Sequence, residues 1–342
     1  MPLVDEVLAG KRLALARLLS LIENDAPEGW AALDALYPRT GQAHLIGVTG
    51  APGVGKSSLV NQIARALRRP QDGEPPRTVA IVAVDPTSPF SGGALLGDRV
   101  RMRDLSGDPG VFIRSMASRG ALGGLAPTTA AVVQALDAAG FEVILIETVG
   151  AGQAEVEIAR LAHTTIVVES PGGGDDIQAI KAGLLEIADL LVINKADRPG
   201  ADLTERALRS MLELGYPHGH HRPEAWAVAE PPPGETWVPP ILRTVATEGK
   251  GIAEVVQALH AHAAYLRATS RWHAREQARL KDILDHMLQA ALLARWQASL
   301  PQGHYQEVVQ RLLRRELSPH QALEALLNLS PFPSAETPRL IP

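Results

Sequence analysis

The 342-residue sequence contains no cysteine, which excludes disulfide bonds and thiolate metal sites. Aromatic residues make up only 4% of it, and no uninterrupted apolar run approaches the ~18 residues of a membrane-spanning helix. Positive charge is not in excess either, because the formal net charge is −5. The N-terminal segment also lacks the long apolar core and cleavage site of a signal peptide. These absences predict a cytoplasmic chain that binds neither nucleic acid nor a membrane surface.

One strongly patterned stretch, HLIGVTGAPGVGKSSLVNQIARAL, runs from His44 to Leu67. An apolar strand-like run meets a glycine cluster that fits G-x-x-x-x-G-K-[ST], and a helical pattern follows it. Glycines let the backbone wrap round an anion with its N–H groups pointing inward, and the helix adds its positive N-terminus. The stretch therefore predicts a site for a nucleoside triphosphate, formed by Gly50, Ala51, Pro52, Gly53, Val54, Gly55, Lys56, Ser57 and Ser58.

Particular side chains in and near this loop suit phosphate chemistry. Lys56 is expected to reach the β- and γ-phosphates, and the Ser57 hydroxyl to take a position on Mg2+. Two acids that end strand-like runs, Asp85 and Glu147, are candidates for the remaining oxygen ligands of Mg2+. Glu147 stands where small GTPases have the aspartate of a D-x-x-G loop.

Two further residues of that loop are candidates for the hydrolytic step. The amide of Gly150 would sense the γ-phosphate, and Gln153 would orient the attacking water. A glutamine exposed on the surface without such a role is an equal alternative for Gln153.

A second motif indicates which base is bound. Asn194, Lys195 and Asp197 form an N-K-x-D motif at the end of an apolar run, where ligands bind in doubly wound sheets. A carboxylate accepts from both N1–H and the 2-amino group of guanine, whereas adenine offers no such pair. A site built for these bonds rejects an analogue that lacks them by ~10⁴-fold or more. GTP and GDP are therefore the predicted ligands, with Thr244, Val245 and Ala246 expected to add backbone contacts to the base.

Short apolar runs alternate with helical stretches along the middle of the chain. Four further runs are too apolar for half-exposed strands, and they are Thr78–Val84, Glu142–Glu147, Thr164–Glu169 and Asp189–Asn194. Such runs suit a mostly parallel sheet that is buried on both faces. Helices are expected over 1–37, Thr128–Ala139, Ala154–Ala162 and Asp176–Ile187, and from about Gly251 onward. The pattern predicts an α/β fold of the P-loop NTPase type with a doubly wound sheet.

We expect three regions: an N-terminal helical extension over 1–39, a G domain over 40–265 and a C-terminal helical arm over 266–342. Residues 215–240 read as an irregular, proline-rich excursion. The arm carries an apolar stripe at helical spacing that includes Leu284, Met287, Leu288 and Leu292. The stripe favours a dimer interface over packing on the same subunit. Ser318, with proline next and glutamine at 321, predicts a capped helix start.

Longer motifs give the chain a family resemblance. VDPTSPFSGGALLGDRVRM, RSMASRGALGGLA, ETVGAGQAE and GDDIQAIKAGLLEIADLLVINKADR resemble the MeaB/MMAA family of G proteins associated with methylmalonyl-CoA mutase, formerly labelled ArgK-type transport kinases. The resemblance covers nearly the whole chain, including its helical tail.

The resemblance implies a homodimeric GTPase whose C-terminal helices form a dimerisation arm. It implies a partner, an adenosylcobalamin-dependent acyl-CoA mutase, whose cofactor loading and repair the G protein controls. The mobile segments of the family map onto Asp85–Arg103, Glu147–Glu155 and Gly172–Lys181. Asp98, Arg99 and Lys181 are thereby candidates for coupling nucleotide state to the partner.

Three alternatives stay open at this point. An ATP-dependent kinase would need a phospho-acceptor site and no N-K-x-D motif. A nickel-delivery GTPase is suggested by His218, His220 and His221, although such proteins usually pair histidine with cysteine. The mutase served could also act on another acyl-CoA, because the substrate contacts the mutase and never this chain.

Overall fold

The computed structural model describes residues 2–70, 73–86, 104–105, 107–118, 127–148, 154–172, 186–215 and 236–328. The chain divides into two compact units, one that ends at Ile283 and one that begins at Leu284. The domain boundaries expected from the sequence stay predictions.

The first unit is built on a seven-stranded sheet whose order is β3-β2-β4-β1-β5-β6-β7. Every one of its strand pairs is parallel. The strands are β1 (His44–Thr49), β2 (Val79–Pro86), β3 (Val111–Ser118), β4 (Val143–Thr148), β5 (Thr164–Glu169), β6 (Leu190–Asn194) and β7 (Ile241–Thr244). The predicted mostly parallel α/β sheet is therefore confirmed.

The apolar runs of the sequence predicted the five central strands but neither edge strand. β3 carries Arg114 and Ser115 in its middle, and β7 has only four residues, one of them Arg243. An edge strand is covered by one neighbour only, so it does not need the uninterrupted apolar run that marks the buried strands.

Eleven α-helices lie in the described part of the chain. They are α1 (Pro2–Leu8), α2 (Arg12–Glu23), α3 (Pro27–Leu36), α4 (Lys56–Arg68), α5 (Pro127–Ala138), α6 (Ala154–Leu161), α7 (Ala201–Gly215), α8 (Ile252–Ala268), α9 (Arg271–Ser299), α10 (His304–Leu313) and α11 (Pro319–Asn328). Two of the expected helices match α5 and α6 within a residue, whereas the one expected over Asp176–Ile187 lies almost wholly outside the described residues. The expectation of one helical stretch over 1–37 is corrected to α1, α2 and α3. Left-handed backbone at Gly10 and Asp25 separates them, because a helix cannot continue through positive φ.

Helices cover both faces of the sheet. Residues of α1–α3, α5 and α6 share one apolar cluster with the sheet, and α7 packs beside α6 in a second. On the opposite face α4 and α8 form a third cluster with the strands. The phosphate loop therefore follows β1 at the centre of a sheet that is buried on both sides.

The second unit consists of the rest of α9 together with α10 and α11. Val308, Ala322 and Leu326 form its small buried core. The predicted helix start at Ser318 is confirmed, because its hydroxyl accepts from the Gln321 N–H at 3.2 Å and its own N–H donates to the Gln321 side chain at 2.9 Å. This reciprocal pair is a capping box.

Candidate nucleotide-binding site

The predicted phosphate loop joins the carboxyl end of β1 to the start of α4. Gly50 has a φ of +140°, and a Cβ there would collide with the Val168 carbonyl of β5. Gly55 has a φ of +97° and would meet the Asn194 side-chain amide in the same way. Both positions therefore require glycine, for conformation and for space. The loop is thus held close to two neighbouring strand ends.

Lys56 is the first residue of α4 and is only 6% exposed. Its Nζ donates to the carbonyls of Gly50 at 2.8 Å and Ala51 at 3.0 Å. The ammonium group therefore lies over the loop in which the phosphates are expected to bind. Ser57 is half-buried and Ser58 exposed in the same first helical turn, next to the positive end of the helix.

Asn194 ends β6 and joins the base motif to the phosphate loop. Its Nδ2 donates to the Val54 carbonyl at 2.9 Å. Its Oδ1 accepts from the Thr244 hydroxyl at 3.1 Å and from the Ala246 N–H at 3.0 Å. One buried side chain thus holds three loops in a fixed arrangement.

The two other motif residues are placed by the turn that follows β6. Lys195 has a φ of +57°, and its Nζ donates to the Gly53 carbonyl at 2.6 Å, so its stem crosses from the base motif to the phosphate loop. Asp197 is exposed. A positive charge lies near it, because Asp197 contributes, after Glu248, to raising the pKa of Lys250. The exposed carboxylate of Asp197 is accessible to the base of a nucleotide.

The third predicted loop has most of its backbone groups engaged within the protein. The Thr244 carbonyl accepts from the Ala196 N–H, the Val245 N–H donates to the Lys250 carbonyl, and the Ala246 N–H donates to Asn194. A base contact through Val245 or Ala246 would have to share these bonds, so their predicted contact with the base stays a prediction.

Sequence reasoning missed the side chain that supports this third loop. Arg243 of β7 pairs with Asp202 and Glu205 of α7, each at 2.6 Å. These hydrogen bonds, Asp202 first, raise the pKa of Arg243. The only sequence signal was an arginine directly before the loop, and nothing in the chain order indicates its two partners.

The two predicted metal ligands end neighbouring strands. Glu147 of β4 is 4% exposed and lies opposite Val48 of β1. Alternation along β4 puts it on the face of Val143 and Leu145, which pack with α4, the helix that carries Ser57. A buried carboxylate on the face of that hydroxyl suits Mg2+, which prefers oxygen ligands. Asp85 lies in β2 in register with Ala117 of β3.

Several predicted residues lie outside the described part of the chain: Gly150, Gln153, Asp98, Arg99, Lys181, His218, His220 and His221. Most of the three segments expected to be mobile lies outside it as well. Among the residues that are described, no group of three or more histidine, aspartate or glutamate side chains could hold a metal ion. Nor does any helix of the described ranges have the length and apolar character to cross a membrane.

The side chain of Arg114, in the middle of β3, is held by α2. Arg114 donates to Glu23 at 2.6 Å and to the Ser20 hydroxyl at 3.2 Å. Its guanidinium therefore ties the middle of β3 to α2, away from the phosphate loop.

The chain is similar in sequence and in fold to several known proteins. A family model described as methylmalonyl Co-A mutase-associated GTPase MeaB matches residues 15–300. A putative GTPase of Pyrococcus horikoshii is 42% identical over 325 residues, which are 95% of this chain and 96% of that protein. The mitochondrial methylmalonic aciduria type A homolog of Caenorhabditis elegans is 30% identical over 272 residues, 75% of this chain and 64% of that one. A crystal structure of a LAO/AO transport system kinase superposes with a TM-score of 0.66 at 27% identity, covering 96% of both chains.

Proposed function

The chain belongs to the MeaB family of methylmalonyl-CoA mutase-associated GTPases, and we propose that it is a G-protein chaperone for an adenosylcobalamin-dependent acyl-CoA mutase. Membership makes it a P-loop GTPase that binds guanine nucleotides. The observation that carries the nucleotide part of the proposal is the bond from Asn194 to Val54, since it joins the base motif to the phosphate loop.

In the proposed site Lys56 turns from the Gly50 and Ala51 carbonyls to the β- and γ-phosphates of GTP. Its position at the start of α4, beside the phosphate loop, supports this role, because an ammonium group there can stabilise the charge that develops on the phosphates. Ser57, Asp85 and Glu147 would hold Mg2+, which supplies positive charge to the phosphate oxygens when it is bound. Gly150 and Gln153 keep their proposed roles at the γ-phosphate and the attacking water.

Asp197 would accept hydrogen bonds from the N1–H and 2-amino groups of guanine. Its exposure beside Lys195, whose ammonium already reaches the Gly53 carbonyl, supports a base lying between the two loops. Thr244, Val245 and Ala246 would complete the walls of the base site.

The partner part of the proposal is supported by the family description and by the name of the nematode relative. In this proposal Asp98, Arg99 and Lys181 change arrangement with the nucleotide and report its state to the mutase. Methylmalonyl-CoA mutase is the first candidate partner, and another cobalamin-dependent acyl-CoA mutase is the alternative. Action in the cytoplasm stays a prediction.

We also propose that the chain is a homodimer through its second unit. Leu284, Leu288 and Leu292 of α9 are 64%, 53% and 47% exposed, and they recur at the spacing of one helix face. A row of exposed leucines is unfavourable in water and is typical of an interface. The small core of the second unit leaves this row uncovered within the described residues.

The decisive experiment measures GTP hydrolysis by the full chain with and without a cognate mutase. We expect slow hydrolysis alone and a faster rate with the mutase, because an added arginine raises the rate of a GTPase by ~10³ or more. If the nucleotide state is reported to the mutase, the mutase must also bind the GTP and GDP forms with different affinities. Lys181→Ala should keep the basal rate and lose the response, whereas Lys11→Ala, at an exposed lysine before α2, should keep both.

The outcomes separate the parts of the proposal. GTP hydrolysis without any response to the mutase would refute the partner and leave the GTPase. An equal response of wild type and Lys181→Ala would refute only the coupling role of Lys181. ATP hydrolysis at the rate of GTP hydrolysis would favour a kinase-like ATPase, and stoichiometric Ni2+ binding in dialysis would favour metal delivery.

A further inference from the structure

A cluster of buried histidines lies at the amino-terminal ends of the central strands, opposite the end that carries the phosphate loop. His44 begins β1, His163 directly precedes β5 and His262 lies in α8, with exposures of 8%, 2% and 0%. Histidine is the side chain whose ordinary pKa lies nearest neutral pH, so this cluster places three titratable groups inside the protein.

Two of these histidines share one hydroxyl group. Thr164 Oγ1 lies 2.7 Å from Nε2 of His44 and 2.9 Å from Nδ1 of His262. A hydroxyl has one proton, so it donates to one ring and accepts from the other when both rings are neutral. If both rings were protonated, both nitrogens would donate and the hydroxyl proton would need a new acceptor. Thr164 is 0% exposed, so water cannot serve as that acceptor.

His163 is held neutral by a different contact. Its Nδ1 accepts the Leu45 N–H at 3.1 Å, so the ring proton is on Nε2, which lies 3.2 Å from Glu276 of α9. Protonation of Nδ1 would set two donors against each other. The ring of Trp272 stacks on His163 with the centroids 4.0 Å apart. Trp272 and Glu276 both belong to α9, so opening the contact with α9 exposes this histidine to water.

A buried ion pair fastens the same helix to the sheet. Arg275 of α9 donates to both carboxylate oxygens of Asp189, at 2.8 and 3.0 Å, and to the carbonyl of His163. Asp189 also accepts the Thr165 N–H at 2.9 Å and lies 3.4 Å from Nε2 of His262. The first turns of α9 are thus attached to β5 and β6 at the histidine cluster.

The charged surroundings resist protonation of the histidines. The charged or titratable groups that face the cluster are His260, Tyr265 and Arg267 of α8, Arg275, Glu276 and Arg279 of α9, and Asp189 before β6. Burial holds the pKa of His44 well below its ordinary value, and the neighbouring histidines and Arg267 lower it further. Burial also lowers the pKa of His163, against the opposing effect of Glu276. Both rings are therefore neutral at neutral pH.

We propose that the cluster is an acid-sensitive joint, which holds the root of α9 (Arg271–Ile283) on the sheet at neutral pH and releases it when the histidines gain protons. Only the neutral form of His163 satisfies both of its ring contacts, and Thr164 cannot accept from His44 and His262 when both are protonated. The contacts with α9 shield His163 from water. Once the root is released, the ring of His163 loses the cover of Trp272, can turn from the Leu45 N–H into water, and binds a proton near its ordinary pKa. Release is thereby favoured as the pH falls below ~6.5.

Hydrogen exchange of the full chain, read by mass spectrometry peptide by peptide, tests the joint. Rates are corrected for the intrinsic pH dependence of exchange and compared at about pH 7.5 and about pH 5.5. Each histidine that is neutral in the closed state and ordinary in the open state raises the opening constant by ~10-fold over this interval. We expect the root of α9 to open more at the lower pH, by up to ~10-fold for each such histidine, while the β6 peptide changes much less.

Two variants identify the groups responsible. His163→Gln keeps a donor and an acceptor but cannot titrate, so the response should shrink, by up to ~10-fold. His273→Gln, at an exposed histidine of the same helix, should leave the response unchanged. Unchanged protection of the wild-type root, or a full response in His163→Gln, would overturn the proposal. Loss of protection in β6 together with the root would overturn it too, because the whole unit would then be unfolding. The wild-type comparison decides even if His163→Gln does not fold.

Discussion

The side-chain amide of Asn194 donates to the Val54 carbonyl at 2.9 Å, although 140 positions separate the two residues in the chain. The side-chain oxygen of Asn194 accepts hydrogen bonds from the Thr244 hydroxyl and the Ala246 N–H. A residue at the end of β6 therefore determines how the phosphate loop and the two base loops are arranged. In the proposed function, this arrangement lets one nucleotide contact the base loops with its guanine and the phosphate loop with its phosphates.

Replacing Asn194 by alanine should weaken both the fold and nucleotide binding. The change leaves the buried Ala246 N–H without its acceptor, which costs ~1–3 kcal/mol for one unsatisfied group. We expect the free energy of unfolding to fall by about that amount and GDP affinity to drop in calorimetry. Asn61→Ala, which removes an exposed contact with Asp104, serves as control and should change little. Wild-type affinity and stability in Asn194→Ala would contradict the role assigned to this side chain.

Replacing Asp197 by asparagine should change the preferred base. The amide presents a donor where guanine has donors, so we expect the preference for GTP to fall by ~10³-fold or more and xanthine nucleotides to gain. Competition binding with GDP, XDP and ADP measures the change. Asp202→Asn, at an exposed aspartate that pairs with Arg243, should keep the preference for guanine. Equal affinity of the wild type for ATP and GTP would refute the assignment of guanine.

Replacing Lys56 by alanine should nearly abolish hydrolysis without unfolding the chain. It removes a charge directed at the developing charge of the transition state, where a single such donor contributes ~10²–10³-fold to the rate. Single-turnover hydrolysis gives the rate, and circular dichroism checks the fold. Lys250→Ala, at a lysine paired with Glu248, should retain most of the activity. Near-normal turnover in Lys56→Ala would mean that the phosphate loop is wrongly assigned.

Charged substitutions on α9 should dissociate the proposed dimer. Leu288→Glu combined with Leu292→Glu puts two carboxylates on the exposed row of leucines, and burying an unpaired charge is strongly unfavourable. Sedimentation should show a dimer for the wild type and a monomer for the double variant. Leu13→Glu, at a leucine of α2 that is 87% exposed, should remain dimeric. A monomeric wild type, or a dimeric double variant, would refute an interface on this helix face.

Glu276 should contribute to stability in acid. Its pKa is lowered to about 2 by hydrogen bonds from His163 and Arg279, against the effect of burial. A carboxyl with a lowered folded-state pKa stabilises the fold above its unfolded-state pKa, and this contribution is lost as the pH falls from ~4.5 to about 2. Because the group is partly exposed, we expect ~1–2 kcal/mol rather than the full linkage value.

Urea unfolding at several acidic pH values measures this contribution. Glu276→Gln should be less stable than wild type near neutral pH and should approach it as the pH falls through this window. Glu28→Gln, at an exposed glutamate of α3, should follow the wild-type curve. A constant difference between Glu276→Gln and wild type at every pH would contradict the linkage.

Local patterns predicted much of the site. The glycine spacing and the following Lys-Ser pair specify a loop conformation over a few residues, and the apolar runs specify strands buried on both faces. Both are consequences of short-range stereochemistry and burial, so they can be read from neighbouring residues. The edge strands β3 and β7 escaped this reasoning because their half-covered positions tolerate polar residues.

Other features depend on residues that are distant in the chain. The pairing of Asn194 with Val54, of Arg243 with Asp202 and of Arg275 with Asp189 joins different strands and helices, and no local period encodes such partners. The sequence by itself therefore determined the GTPase family and predicted the motif residues of the site. How these residues meet was decided only by the tertiary structure, through the parallel order of the strands. That order brings the carboxyl ends of β1, β6 and β7 together and leaves the histidines at the opposite ends of the strands.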